Sequence, residues 1–161
     1  MSSTGVEPRD VERFWAKVDM TGDCWLWTAA TNRYGYGVFG IRGSGQAAHR
    51  VAHELEIGPL DKGLDVDHTC HTRNCVKPRH LRAATRKQNA ENRQGAMCGT
   101  KSGVRGVSWD AVKSRWVVQV HHNGKTIYGG YFSDVPSAAL AAKELRLNLF
   151  THSDMDKSVT S

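Results

Sequence analysis

Residues 67–81 read DHTCHTRNCVKPRHL, and the reading of this stretch decides the fold. Two cysteines, three histidines and an aspartate share fifteen positions. Cys70 and Cys75 lie five apart, and His80 lies five further on. A loop of that spacing can wrap three ligands round a tetrahedral Zn2+, which takes Cys sulfur and His nitrogen at about 2.0–2.3 Å. A fourth ligand must come from elsewhere. Cys24, in CWLW, is the strongest candidate, because Cys98 sits in what reads as a linker. His71 is a rival, but adjacent residues tend to point apart. A closed set of four is a structural site and leaves no open position for chemistry.

Working outward, LDVDH (64–68) reads as a short strand and HLRAA (80–84) as a second. Thr85 and Gln88 match a capping box, so a helix is expected from Arg86 through RKQNAENRQ to Gly95. Upstream, VERFWAKV (11–18) has its apolar residues at helical spacing. CWLWTAATNRYGYGVFGIRG reads as short strands and tight turns. AAHRVAHEL (47–55) reads as a helix that ends before Gly58-Pro59.

His68 is left over from the metal set. Strand, stapled loop, strand and helix would bring it face to face with Asn89, with Asn92 a rival about a turn further along. A histidine can take a proton from water near neutral pH. An amide oxygen suits Mg2+, a hard cation that favours oxygen ligands. His49, His53 and His71 read as packing or surface residues.

These residues resemble the His-Me finger (HNH) endonucleases, in particular the zinc-stapled homing nucleases of group I introns and phages. The pattern is His68, Cys70, Cys75, His80 and Asn89, with Cys24 completing the zinc set, and the resemblance covers residues 20–95. It implies a ββα-metal core with His68 as general base and Asn89 as Mg2+ ligand. It further implies that Asp67 shares the Mg2+ and that an arginine touches the scissile phosphate. Arg42, in the strand-like GIRG, and Arg50, in AHR, are the candidates, with Arg42 preferred. The products implied are 5′-phosphate and 3′-hydroxyl ends.

After a small, polar stretch, AMCGTKSG (96–103), the pattern changes. RGVSWD, SRWVVQVHHNGKTIYGGYF and SAALAAKELRLNLF read as three strands and a helix, with Asn123-Gly124 as a hairpin bend. Ala139, Ala142, Leu145 and Leu149 are expected near one helix face. This half resembles the AP2 DNA-binding domain, through its RGV strand, KSRWVVQV, YGGYF and the Ala-rich helix. Several positions that hold arginine in the plant members here hold Ser108, Asp110, Gln119 and His121. A small sheet can lie in the major groove and present alternate side chains to base edges. The candidate DNA contacts are Arg105, Trp109, Lys113, Arg115, Gln119, His121, Lys125 and Tyr128.

The expected architecture is α+β. A zinc-stabilised ββα-metal nuclease core (residues 1–95) is followed by a linker (96–102), a three-stranded antiparallel sheet plus helix of AP2 type (103–151) and a flexible tail (152–161). The chain has 161 residues, with 22 Lys and Arg against 16 Asp and Glu, a balance that favours a polyanionic partner. No apolar run approaches the ~20 residues that span a bilayer, and the N-terminus lacks a signal pattern, so a cytoplasmic location is expected, in the bacterial host if phage-encoded. There, clustered cysteines read as metal ligands rather than bridges. The function expected is a Mg2+-dependent, zinc-stabilised endonuclease of the homing type acting on double-stranded DNA. A non-catalytic, zinc-stabilised DNA-binding regulator would explain the charge and the cysteines, but not a His and an Asn at nuclease positions. A palindromic cut would call for a homodimer, and no dimer stripe is legible.

Overall fold

In the computed structural model, which describes residues 6–96 and 99–157, the stretch at 67–81 is regular at its ends and irregular between them. Cys98 lies outside the described residues. β5 (Asp65–His68) and β6 (Leu81–Ala84) pair antiparallel, with Asp65 opposite Ala84 and His68 opposite Leu81. The loop between them holds one 3-10 turn, Pro78–His80, opened by a proline where no N–H is needed. The Thr85 Oγ1 then accepts from the Gln88 N–H at 3.3 Å, while Gln88 Oε1 accepts from the Thr85 N–H at 2.8 Å. This reciprocal cap starts α3 (Arg86–Glu91) at the expected residue. The helix ends at Glu91, short of the expected Gly95, because the Arg105 guanidinium takes the carbonyls of Ala90, Glu91 and Arg93.

Ahead of the loop, α1 (Pro8–Trp15) begins earlier than the apolar spacing suggests, because Glu7 and Asp10 form a capping box and Pro8 opens the first turn. β1 (Val18–Asp19) pairs with β2 (Leu26–Trp27), and β3 (Val38–Ile41) pairs with β4 (Ser44–Ala47), which runs into α2 (Ala48–Glu56). Arg42 and Gly43 form the β3–β4 bend, both at positive φ (48° and 76°). GIRG is therefore a strand end plus a turn rather than strand throughout. The core beneath these elements is Phe14, Trp27, Phe39, Ile41, Val51, Val66, Val76 and Leu81 with small Ala48 and Ala52. Gly37 lets Trp27 and α2 close on each other: a Cβ there would stand 2.6 Å from the indole and 2.9 Å from Ala48 Cβ.

The chain divides into two compact units between Asn89 and Ala90, inside α3. The second unit is the sheet β7 (Val107–Asp110), β8 (Arg115–His122) and β9 (Lys125–Phe132), in that order and antiparallel, covered on one face by α4 (Val135–Leu149). Asn123 and Gly124 turn the β8–β9 hairpin at φ 50° and 73°, the mirror-image turn that matches strand twist. Asp134 caps α4 by accepting from the Ser137 N–H at 2.8 Å. The buried face of α4 is Ala138 and Ala142, with Ala141 and Leu145 against it, one position off the expected Ala139. Small residues are needed there, since even a Cβ on Gly129 of β9 would meet Leu145 at 3.2 Å. Residues 154–157, assigned to the tail in the sequence reading, form α5 (Asp154–Lys157), where Asp156 accepts two bonds from Arg146, at 2.8 and 2.6 Å. No helix among the described residues is long and apolar enough to cross a membrane.

Candidate functional site

The Cys/His loop is shaped by β2. The Trp27 N–H donates to the Asn74 carbonyl at 2.9 Å, the Val76 N–H donates to the Trp25 carbonyl at 2.8 Å, and Leu26 opposes Cys75. That pairing carries Cys24 to the loop across forty-eight residues of sequence from Thr72, whose hydroxyl it meets at 3.7 Å. Cys24, Cys70, Cys75 and His80 then present one ligand atom each, all within 4.8 Å of one another. His80 Nδ1 stands 3.6 Å from both Cys24 Sγ and Cys75 Sγ. A tetrahedron with ordinary Zn–S and Zn–N bonds has a sulfur-to-nitrogen edge of about 3.6 Å, so the donor set and its dimensions fit Zn2+. The Cys75 thiol donates to Cys70 and holds its pKa below the ordinary thiol value, toward the thiolate that a metal binds. His71 is not in this group. It sits in the left-handed region at φ 57°, donating its N–H to the His68 carbonyl at 3.3 Å.

The same loop orients His68. Its Nε2 lies 3.0 Å from the Cys75 carbonyl oxygen. A carbonyl only accepts, so Nε2 carries the proton and Nδ1 holds the lone pair. His68 is 8% exposed, and burial lowers its pKa below the ordinary histidine value, which favours the neutral ring at neutral pH. The ring can therefore accept a proton from water at Nδ1.

Asp67 leaves β5 on the opposite side, since successive strand residues alternate faces. Its Oδ2 accepts from Arg82 Nε at 3.0 Å and Nη2 at 2.8 Å, across the ladder position where the two residues oppose each other. Asn89 stands in α3, its N–H bonded to the Thr85 carbonyl at 2.9 Å. Asn92 lies beyond the helix, 3% exposed, and its Oδ1 accepts from the Asp154 N–H at 3.1 Å. Arg42 sits in the β3–β4 bend and pairs with Glu7 at 2.8 Å. Arg50 is in the first turn of α2, 3.5 Å from Asp65 of β5, and is the arginine next in sequence to the ring that packs on His68.

That ring is His49, which the sequence reading set aside as packing or surface. Its centroid lies 4.8 Å from that of His68, and Tyr36 closes the group at 5.5 Å from His49 and 6.0 Å from His68. Burial, then the positive fields of His68 and Arg50, lower the His49 pKa to about 3, so it is neutral at pH 7. No spacing rule in the sequence marks His49, because it comes from α2, outside the strand, loop and strand that carry His68 and the cluster. Its place one residue before Arg50 was the only available cue. His53 does pack: its ring nitrogen Nδ1 lies 3.2 Å from the Gly58 carbonyl at the end of α2.

In the second unit the proposed DNA contacts separate into groups. Arg115, Gln119, His121 and Tyr128 are exposed on the sheet face away from α4, where Gln119 opposes Tyr128 and His121 opposes Thr126. Tyr131, missed in the sequence, joins them: its ring lies 5.5 Å from Tyr128, and the Lys113 ammonium sits 4.0 Å above it. Trp109 is instead on the α4 side, edge-on to Trp116 at 5.0 Å. Lys125 opposes His122 at the hairpin end, in the alternate register to the open-face residues. Arg105 faces inward. Besides capping α3 it lies 5.1 Å over the Phe150 ring, and its carbonyl accepts from Arg146. Its five N–H donors are thus committed largely to protein, a cost that no sequence pattern announced.

Residues 46–91 match the family model described as HNH endonuclease. Two phage relatives are similar over part of their length. Protein 7.7 of Escherichia phage T7 is 36% identical over 70 residues, covering 44% of this chain and 54% of that protein. Protein 2.8 of the same phage is 37% identical over 76 residues, covering 46% and 50%. The chain spans about half the length of the curated relatives it matches. No solved structure matches. The matched segment contains His49, His68, three of the four Cys/His cluster residues and Asn89.

Proposed function

We propose that the chain is a Mg2+-dependent DNA endonuclease of the HNH homing type, with a C-terminal AP2-like module that tethers it to its site. The observation that carries the reading is the His68 Nε2 bond to the Cys75 carbonyl, because it joins a fixed imidazole tautomer to a loop built like a zinc staple. His68 Nδ1 takes a proton from water, the water oxygen attacks phosphorus, and the P–O3′ bond breaks. The departing 3′ oxygen is protonated from solvent, leaving 5′-phosphate and 3′-hydroxyl ends. Mg2+, when bound, polarises the phosphate and stabilises the leaving oxygen. Asn89 offers it the hard amide oxygen it prefers, whereas Asp67, bonded to Arg82 on the other side of β5, would have to turn toward His68 to join the set. Arg50 is the better phosphate contact, since it follows His49, whose ring packs on His68, whereas Arg42 sits in the β3–β4 bend paired with Glu7. Zn2+ at Cys24, Cys70, Cys75 and His80 holds the loop and does no chemistry.

The AP2-like reading is supported by the three-stranded sheet with one helix on its back and an open face carrying Arg115, Gln119, His121 and Tyr128. Alternate side chains on such a face can reach base edges while Lys113 and Arg115 meet phosphates. The test is incubation of purified protein with supercoiled plasmid and phage DNA panels, with and without Mg2+. Nicking or cutting that needs Mg2+, and that His68→Ala abolishes while still binding DNA, supports the nuclease. Binding without cleavage across the panels supports the regulator.

A further inference from the structure

We propose that His49 is a second active-site histidine whose Nε2–H donates a hydrogen bond to the scissile phosphate beside His68. The inference rests on the nuclease reading and deepens it. Three observations lead to it. The His49 and His68 rings are 4.8 Å apart and tilted 57°, so a phosphate within reach of one ring is close to the other. His49 comes from the first turn of α2, where Arg50 follows, so two groups that favour an anion leave the same turn. The third is a buried ring nitrogen: His49 Nδ1 is shut from solvent and has no hydrogen-bond partner among the described residues.

The buried nitrogen decides the tautomer. A neutral imidazole has one N–H and one lone pair. Burying an unbonded N–H is rarer and costlier than burying an unbonded acceptor. The lone pair therefore sits on Nδ1 and the proton on Nε2, the nitrogen not enclosed in this way. Tyr36 packs on both rings and limits their rotation. A preset donor beside the general base stabilises negative charge as it builds on the phosphate oxygens, without spending a proton. His68 and His49 would thus divide the work, one accepting a proton through Nδ1 and the other donating a hydrogen bond through Nε2.

The experiment compares His49→Ala, His49→Gln and His49→Asn in single-turnover cleavage of plasmid DNA with Mg2+, alongside DNA affinity, zinc content and thermal melting. Glutamine carries its amide N–H about where Nε2 stands, and asparagine carries it nearer Nδ1. Ala and Asn are expected to cut roughly 100-fold slower, the loss typical of one removed charge-stabilising donor, with DNA affinity and zinc content unchanged. Gln is expected to recover most of the rate. If His49→Ala does not fold, the Gln and Asn pair decides by the same contrast. Wild-type rates in His49→Ala, or equal losses in Gln and Asn with folding intact, overturn the donor role and leave the nuclease reading standing. If wild-type protein leaves every DNA intact, the nuclease reading falls and this proposal with it.

Discussion

His68 Nε2 lies 3.0 Å from the backbone carbonyl oxygen of Cys75, so the residue that closes the metal loop also sets the tautomer of the histidine at its entrance. The Cys/His cluster and the imidazole are therefore one mechanical unit, although their chemistry differs. Removing the ring should separate the two: His68→Ala is expected to keep its zinc and its DNA affinity and to lose about 10²–10⁴-fold in cleavage rate, the range for a general base. Gel-based cleavage with metal analysis on the same sample checks it, and retained cleavage would remove His68 from the mechanism.

Losing the staple should cost more than activity. A structural zinc site supplies folding free energy of order 10 kcal/mol, comparable to the whole stability of a small domain. Cys75→Ala, or prolonged exposure to a strong chelator, is expected to unfold the first unit and leave the sheet of the second unit. About one zinc per chain is expected in the native protein. A native-like melting curve for zinc-free protein would contradict this.

His49 gives the fold a defined acid sensitivity. Its pKa is near 6.5 in an unfolded chain and about 3 in the folded one. Between those values the unfolded state binds the extra proton, so stability rises with pH there, is full above about pH 6.5, and falls as pH drops toward 3. From pH 7 to pH 5 this one group should remove about 2 kcal/mol. His49→Gln has nothing to titrate, so its urea-melt stability should fall by that much less over the same interval. Parallel pH dependence in the two proteins would show that the burial is relieved in solution.

Of the proposed DNA contacts, those on the open sheet face should behave differently from those turned away. Gln119→Ala and Tyr128→Ala are expected to weaken specific binding by about 1–3 kcal/mol each, and Arg115→Ala to lower the salt slope by about one. Trp109→Ala and Lys125→Ala, outside that face, should change DNA affinity little. Fluorescence-anisotropy titrations across salt concentrations separate the two sets, and a larger loss at Lys125 than at Gln119 would reverse the assignment of faces.

Arg105→Ala should act on stability instead. It strips donors from the carbonyls of Ala90, Glu91 and Arg93 and the cation from the Phe150 ring, a loss of roughly 2–3 kcal/mol. A lowered melting temperature with an unchanged salt slope is the expected result. A changed slope with unchanged melting would return Arg105 to the DNA surface.

What the sequence determined by itself was local. Cys70, Cys75 and His80 are close because the loop is short. Thr85 and Gln88 start α3 because a capping box needs only four residues, and Asn123-Gly124 turn because their backbones tolerate positive φ. Even Cys24 could be named, since a fourth ligand was required and few thiols were available. Tertiary structure decided what depends on two distant segments meeting. The helix that carries His49 packs against the strand that carries His68, Arg105 turns inward because the end of α3 needs donors, and Arg42 falls in a bend held by Glu7. Spacing along a chain encodes neighbours within a turn or a loop, whereas burial and long-range hydrogen bonding choose which side of each residue faces the site.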